Sequence, residues 1–126
     1  MINVNSIHLP LQTIAVPQDN GALLEFTFQD KAGNLLNLTG AMEIEFVVFT
    51  GINGTPEITK TLSGGDITVY GNDYQFSVPI SDTDTQGLTN RLSYYECLIT
   101  NSGGENRTVS AGIFRCERTY IWSNTL

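Results

Sequence analysis

Apolar and polar side chains alternate with a period of two residues through most of this chain of 126 residues. The pattern is clearest in three stretches, residues 24–28, 42–50 and 74–80. Because successive side chains of a β-strand point to opposite faces of its sheet, this period predicts strands that are buried on one side. No stretch has the 3.6-residue period of an amphipathic helix over three turns. The alternation therefore predicts an all-β architecture.

Turn-forming sequences separate the predicted strands. They are rich in Gly, Asn, Asp and Ser, the residues that adopt turn conformations most readily, and the chain contains 12 Gly and 4 Pro. About seven or eight short strands, with a turn signal roughly every 8–12 residues, are typical of a sandwich of two packed sheets. The sequence thus predicts an immunoglobulin-like, two-sheet antiparallel β-sandwich with an extended N-terminal arm.

Tyr95 and the two cysteines give further predictions about this sandwich. Tyr95 stands two residues before Cys97 near the start of a late strand, which is the spacing of a tyrosine corner, where the phenol bonds to backbone upstream. A hairpin that turns at residues 101–106 places Cys97 opposite the neighbourhood of Ser110. Cys116 then lies about 20 Å further along its strand, beyond the reach of a disulfide. Both thiols are expected to be reduced.

The segment from Ile7 to Val16 is apolar and extended but contains Pro10, so it is interpreted as an edge strand or a docking arm. Residues 1–20 are therefore predicted to form the N-terminal arm, and residues 21–126 the sandwich, within one domain overall. Aromatic and apolar residues at the other end of the chain are the second candidate contact. The predicted interface residues are Ile7, Leu9, Leu11, Ile14, Val16, Tyr120, Ile121 and Trp122.

Net charge argues against several classes of partner. The chain has 13 acidic and 6 basic residues, for a net charge of −7, and these few cations do not form a phosphate-binding patch. Neither nucleic acid nor an anionic membrane is an expected partner. There is no apolar run long enough to span a bilayer, and residues 1–7 lack the pattern of a signal peptide. The chain is expected to stay in the compartment where it is made.

Few residues are candidates for chemistry, and no catalytic, cofactor-binding or metal site is predicted. His8 is the single histidine and has no nucleophile nearby in sequence. Glu43 and Glu45 share one strand face about 7 Å apart, which resembles a glycosidase pair, but a solvated face is the simpler interpretation. Asp82 and Asp84 offer oxygen ligands to calcium, yet the sequence departs from an EF-hand loop and favours helix capping by Ser81 or Asp82.

Two longer stretches carry a family resemblance. The first is TIAVPQDNG at residues 13–21, followed by LEFTF at 24–28 and DKAGNLLNLTGA at 30–41; the second includes residues 82–87, Tyr94, Tyr95 and residues 112–114. Together they resemble the N-terminal β-sandwich of baseplate upper proteins and related small immunoglobulin-like structural modules of tailed bacteriophages. The resemblance spans most of residues 10–118 and carries no catalytic residues. The chain ends after the sandwich, without a fibre or receptor-binding extension, which favours a small accessory subunit.

The resemblance implies a non-enzymatic structural protein of a tailed-phage virion, made in the host cytoplasm. Its expected role is to dock on a larger assembly, as a head-decoration, fibre-anchoring or tail and baseplate accessory subunit. The expected partners are other phage structural proteins and further copies of the chain in a homo-oligomer.

Two alternatives remain open. The first is a carbohydrate-binding adhesion module for a host glycan, with Tyr70, Tyr94, Tyr120 and Trp122 as candidate aromatic platforms. The second is a small hydrolase or isomerase that uses Glu43 and Glu45, or Asp82 and Asp84. The sequence does not separate aromatic residues that bind sugars from those that anchor protein interfaces.

Overall fold

The computed structural model describes residues 2–7, 13–17, 21–29, 34, 38, 41, 43–50, 54–70, 74–88, 92–101 and 103–117. The alternating stretches form β-strands, as predicted. Within the described ranges, nine strands and one short helix follow in the order β1 (Ile2–Ile7), β2 (Ile14–Pro17), β3 (Ala22–Gln29), β4 (Glu43–Thr50), β5 (Thr55–Thr61), β6 (Thr68–Tyr70), β7 (Gln75–Ile80), α1 (Asp82–Thr85), β8 (Ser93–Thr100) and β9 (Asn106–Glu117).

The strands form two sheets that pack face to face, which confirms the predicted β-sandwich. One sheet has four strands in the order β1-β3-β7-β6, and the other has five in the order β2-β9-β8-β4-β5. If β1 and β3–β9 are taken as strands A, B, C, C′, D, E, F and G, the sheets are ABED and GFCC′, which is the immunoglobulin-like arrangement. β2 is an additional strand beside β9.

The N-terminal strands β1 and β2 are paired within the sandwich. Both pairings are parallel, so the sandwich is not purely antiparallel as predicted. β1 pairs in parallel with β3 at the edge of the four-stranded sheet, and β2 pairs in parallel with β9 at the edge of the five-stranded sheet. The chain therefore contributes an edge strand to each sheet within its first 17 residues. Both parallel pairs join segments that are distant in sequence, whereas a tight turn joins only antiparallel neighbours.

The core lies between the sheets and is dominated by aromatic rings. Phe26 and Phe76, paired across β3 and β7, stack with ring centroids 4.9 Å apart. Phe46 of the opposite sheet lies 5.9 Å from Phe26, 5.8 Å from Tyr95 and 6.2 Å from Phe114, again between ring centroids. Stacked and edge-on pairs at these distances are favourable beyond the area that they bury. The rings thus connect the two sheets at their centre.

The hairpin of β8 and β9 has the predicted register at its centre. Cys97 is opposite Ser110, and both cysteines are free, as expected. The register then shifts between Cys97 and Leu98, where Val109 is the extra residue of a β-bulge. As a result, the consecutive residues Val109 and Ser110 are both buried.

The bulge gives Tyr95 a bonding partner on β9. The oxygen of its phenol lies 3.0 Å from the hydroxyl oxygen of Ser110, which is downstream on the neighbouring strand. Both side chains are buried. Burial raises the pKa of Tyr95 above its ordinary value, although the hydrogen bond to Ser110 lowers it. The pair satisfies two polar groups inside the core. The backbone just upstream of Tyr95, residues 89–91, lies outside the described residues, so the predicted tyrosine corner stays a prediction.

The predicted single turn of helix is confirmed at α1, and Ser81 is its N-cap. The Ser81 hydroxyl accepts from the N–H of Asp84, and the Asp84 carboxylate accepts from the N–H of Ser81, which together form a capping box. Asp84 also forms an ion pair with Lys60 of β5 at 2.9 Å. Burial raises the pKa of Asp84, but these hydrogen bonds and Lys60 outweigh it, and the net shift is downward.

Candidate docking surface

Glu43, one of the two carboxylates considered for hydrolysis, anchors a turn. One carboxylate oxygen accepts from the N–H groups of Ser63 and Ile44, each at 3.0 Å, and the other accepts from the Ser63 hydroxyl. The Ser63 hydroxyl is the main reason that the pKa of Glu43 lies below its ordinary value, although burial acts in the opposite direction. A carboxyl with a lowered pKa is ionised at neutral pH and is poorly matched to the role of general acid.

The carboxylates of the proposed calcium loop also have structural partners. Asp84 takes part in the capping box and the ion pair with Lys60, and Asp82 accepts from the N–H of Thr83 at 2.8 Å. Within the part of the chain that the structure describes, no three His, Cys, Asp or Glu side chains are grouped as metal ligands.

The outer face of the five-stranded sheet carries an unusual number of apolar side chains. They stand in cross-strand rows: Phe49, Tyr94 and Ile113 form one row across β4, β8 and β9, and Val47, Glu96 and Ala111 form the next. Phe49 and Tyr94 are in contact, with ring centroids 6.0 Å apart. Leu92, directly before β8, exposes 62% of its surface and extends the apolar end of this face.

A surface depression of about 450 Å³ lies between these two rows. Ala111 is the smallest side chain in the two rows, so the larger neighbours rise around it and leave a hollow. Gly112 follows it on β9 and adds no side chain. The side chains that border the depression are mostly apolar; they include Thr13, Phe49, Tyr94, Glu96, Ala111 and Ile113.

Two carboxylates lie beside the depression. Glu96 is in the second row, and Glu45, opposite Leu98 in the third row, is its diagonal neighbour. The hydroxyl of Thr108 donates to Glu96 at 3.1 Å and fixes the position of this carboxylate. Neither glutamate has an ion-pair partner among the residues described here. Burial is the main cause of the raised pKa of the Cys97 thiol, which lies on the inner side of β8. The negative charges of Glu45 and Glu96 raise the pKa further.

The outer face of the four-stranded sheet is polar by comparison. Its cross-strand rows contain Glu25, Ser77 and Thr68 in one and Thr27, Gln75 and Tyr70 in the next. Tyr70 donates its phenol to Glu25, and the Gln75 amide donates to Thr27 at 3.3 Å. The polar groups of this face thus bond to each other across strands.

The structure separates the residues that the sequence grouped as interface or sugar platform. Ile14 and Val16, predicted to contact a partner, are 2% and 1% exposed because β2 packs them into the domain's own core. The backbone of Ile7 pairs with Gln29 in the four-stranded sheet. Tyr70 and Tyr94 lie on opposite outer faces of the sandwich. Leu9, Leu11, Tyr120, Ile121 and Trp122 lie outside the described residues, so their predicted contacts stay predictions.

The apolar outer face was not predicted as a site. A signal was present in the sequence, because Val47 and Phe49 fall on the same side of β4 as Glu43 and Glu45. Their alternation with the buried Ile44, Phe46 and Val48 marks a strand that is apolar on both faces. Which side chains of β8 and β9 join them depends on strand order and register, and local sequence does not show either.

Comparisons with known proteins support the fold. No family model matches the chain, and no curated protein matches it. Among solved structures it is similar to the N-terminal domain of phage TP901-1 ORF48, with a TM-score of 0.58 and 10% sequence identity. The likeness covers 92% of this chain and 97% of that domain. No helix among the described residues has the length and hydropathy needed to cross a membrane. At the level of fold, the chain is similar to a domain of a phage protein.

Proposed function

We propose that the chain is a non-catalytic structural domain of a tailed-phage virion, which docks on a larger assembly. The observation that carries this proposal is the likeness to the phage domain, which extends over nearly the whole of both chains. A fold does not by itself determine a function, so the proposal also needs a surface suited to docking. The outer face of the five-stranded sheet supplies one.

The contrast between the two outer faces supports docking through the five-stranded sheet. A surface that carries Phe49, Tyr94, Ile113 and Leu92 together is costly to leave in water and typical of an interface. The opposite face places Thr, Ser and Gln side chains in most of the corresponding positions. A position as a head-decoration, fibre-anchoring or tail and baseplate accessory subunit fits such one-sided attachment.

The charges on this face favour attachment to a different protein over pairing with a second copy. Glu43, Glu45 and Glu96 share the face, and two copies placed face to face would bring these carboxylates together. A homo-oligomer, if it forms, is therefore expected to use other surfaces, such as the edge strands β5 and β6. Around the attachment site, copies would follow the symmetry of the particle.

The composition of purified particles tests the proposed function. Particles released from cells that make the chain should contain it after density-gradient purification, and mass spectrometry should detect it at a constant number of copies per particle. A chain that remains entirely in the particle-free fraction would contradict a virion role.

A carbohydrate-binding role is the second candidate, and one observation favours it. Phe49 and Tyr94 form a half-buried aromatic pair beside a carboxylate, a combination that can stack on a sugar ring and accept hydrogen bonds from its hydroxyls. A glycan array probed with the chain and with a Tyr94→Ala variant tests this role. Hits that disappear in the variant would support it, and an array without hits would remove it.

A further inference from the structure

We propose that the depression on the five-stranded sheet binds an extended segment of another protein, which places an apolar side chain in the hollow and basic side chains beside Glu96 and Glu45. This inference rests on the proposed docking function and specifies the chemistry of the partner. It depends on three features of the face: the shape of the hollow, the spacing of the rows and the charge of the border.

The hollow has the lining for an apolar side chain and more room than one side chain fills. Its volume of about 450 Å³ exceeds the volume of any single side chain, so the occupant also brings backbone over the border. The row of Phe49, Tyr94 and Ile113 borders the hollow on one side, and Glu96 and Ala111 of the next row also line it. Large anchor side chains that enter such pockets account for most of the binding energy of many interfaces.

The rows give the spacing of the partner's side chains. Successive rows on one face of a sheet are two residues apart, or about 6.8 Å, which equals the spacing of alternate side chains in an extended segment. A segment that runs along β8 with its anchor between the first two rows therefore places its next same-side residue between the second and third rows, beside Glu96 and Glu45, and the following one past the third row, still beside Glu45.

The charge of the border selects basic residues at those positions. Glu96 is held in place by Thr108, and neither Glu96 nor Glu45 has a cationic partner within the described part of the chain. Lys or Arg from a partner would neutralise them, whereas acidic residues would be repelled. The net charge of −7 adds a long-range attraction for a basic partner.

Other occupants fit less well. A second copy of the chain would bring its own glutamates to the same face. A sugar needs several polar partners for its hydroxyls, but the lining of the depression is mostly apolar.

Synthetic peptides test the proposed chemistry directly. The acetylated peptide TFTKTKT has its Phe and two Lys on one face at the required spacing, TFTETET reverses the charge, and TATKTKT removes the anchor. In NMR titrations, TFTKTKT should shift the amide signals of Tyr94, Glu96 and Ala111, and each control peptide should bind at least about tenfold more weakly. Equal binding of the three peptides, shifts confined to β3, β6 and β7, or no shift at about 5 mM peptide would overturn the proposal.

Paired variants test the same surface in the assembled particle. Ala111→Leu fills the hollow, and Glu96→Gln removes one charge without changing shape; each should reduce incorporation at least about fivefold. The matched controls are Ala15→Leu, on the same face outside the depression, and Glu25→Gln, on the opposite face; both should be incorporated normally. Circular dichroism of every variant establishes that it is folded.

The two levels of the proposal fail in different ways. If the native chain is present in particles and Ala111→Leu and Glu96→Gln are incorporated as well as their controls, the inferred surface is wrong and the virion role stands. If the chain is absent from particles but binds TFTKTKT as described, the virion role is wrong and the surface stands.

Discussion

The two outer faces of the sandwich cover the same core but differ in chemistry. On the four-stranded sheet, Thr27, Gln75, Glu25 and Tyr70 bond to each other across strands, so the face satisfies its own polar groups. On the five-stranded sheet, the equivalent positions carry Phe49, Tyr94 and Ile113 around a hollow. Only the outer face of the five-stranded sheet would bury much apolar surface when a partner covers it.

The difference extends to the inner side of each sheet. Leu24, Phe26, Phe76 and Val78 make the described inner face of the four-stranded sheet apolar. The five-stranded sheet instead contains the buried Tyr95 and Ser110 pair, placed there by the bulge in β9. Two buried hydroxyls stabilise the fold only when they are hydrogen-bonded to each other. The Tyr95 and Ser110 pair therefore requires a defined register between β8 and β9. That register also positions the outer rows, and the docking face thereby depends on the core beneath it.

The largest expected effect separates the two sides of β4. Phe46 points into the core and Phe49 points to the outer face, so the same substitution on one strand compares the two environments. Phe46→Ala should lower the free energy of unfolding by about 3–5 kcal/mol, as for other buried phenylalanines. Phe49→Ala should lower it by only about 1 kcal/mol, because the ring is only half-buried. Urea denaturation measures both, and equal losses would show that Phe49 belongs to the core.

The second prediction concerns substitutions that replace aromatic side chains of the apolar face with threonine, which is typical of the polar face. Phe49→Thr combined with Tyr94→Thr should weaken attachment to the assembly at least about 30-fold, which corresponds to about 2 kcal/mol, because truncated aromatic anchors cost that much at interfaces. The matched control is Leu23→Thr combined with Tyr70→Thr on the opposite face, where Leu23 exposes 38% of its surface. Sedimentation of particles with each labelled variant measures attachment, and a control that binds as weakly as the test variant would remove the distinction between the faces.

The third prediction concerns the buried hydrogen bond of the five-stranded sheet. Tyr95→Phe removes the phenol and leaves the Ser110 hydroxyl without its partner, so stability should fall by about 1–2 kcal/mol. Ser110→Ala should cost a similar amount, and the double variant should cost less than the sum of the two. Additive losses in urea denaturation would mean that the two groups act independently.

The smallest expected effect on stability comes from the ion pair between Asp84 and Lys60, which links the two sheets. α1 follows β7 of the four-stranded sheet, and Asp84 in α1 pairs with Lys60 of β5 in the five-stranded sheet, with side chains 21% and 18% exposed respectively. Because the pKa of Asp84 is lowered in the folded state, its contribution is present above the ordinary value of 3.8 and is lost as pH falls through the folded pKa.

Asp84→Asn should therefore reduce the acid sensitivity of the protein. Between about pH 6 and about pH 2, the native chain should lose up to roughly 1 kcal/mol more stability than Asp84→Asn. Asp82→Asn, in the same turn but without the ion pair, is the control. If Asp84→Asn and the native chain lost stability in parallel, Asp84 would have the same pKa in the folded and unfolded states.

Local sequence predicted the strands and the central register well, for physical reasons. A period of two is a property of each strand alone, and the short turn at residues 101–106 fixes the hairpin pairing to within one residue. The bulge at Val109 supplies the remaining one-residue shift that places Cys97 opposite Ser110. The parallel pairing of β1 and β2 was not predicted, because no local turn joins them to β3 and β9. The interface role expected for Ile14 and Val16 followed from that omission, since the apolar segment enters the core of its own domain.

The partner of Tyr95 and the docking face were missed for a related reason. The Tyr-x-Cys spacing is local, but the bonding partner depends on a bulge at Val109 that turns Ser110 inward. Likewise, Val47 and Phe49 showed that one strand has apolar residues on both sides, while the hollow needs Ala111 and Ile113 from a strand more than 60 residues away. Depressions of this kind arise from tertiary register.

Hydroxyl-radical footprinting of the free chain and of the chain bound in particles tests the central claim most directly. If the chain docks through its five-stranded sheet, oxidation of Phe49, Tyr94 and Leu92 should fall on assembly, and oxidation of Tyr70 and Leu23, on the opposite face, should be unchanged. Protection of Tyr70 and Leu23 with Phe49, Tyr94 and Leu92 still fully oxidised would show that the chain docks through its polar face and would contradict the account.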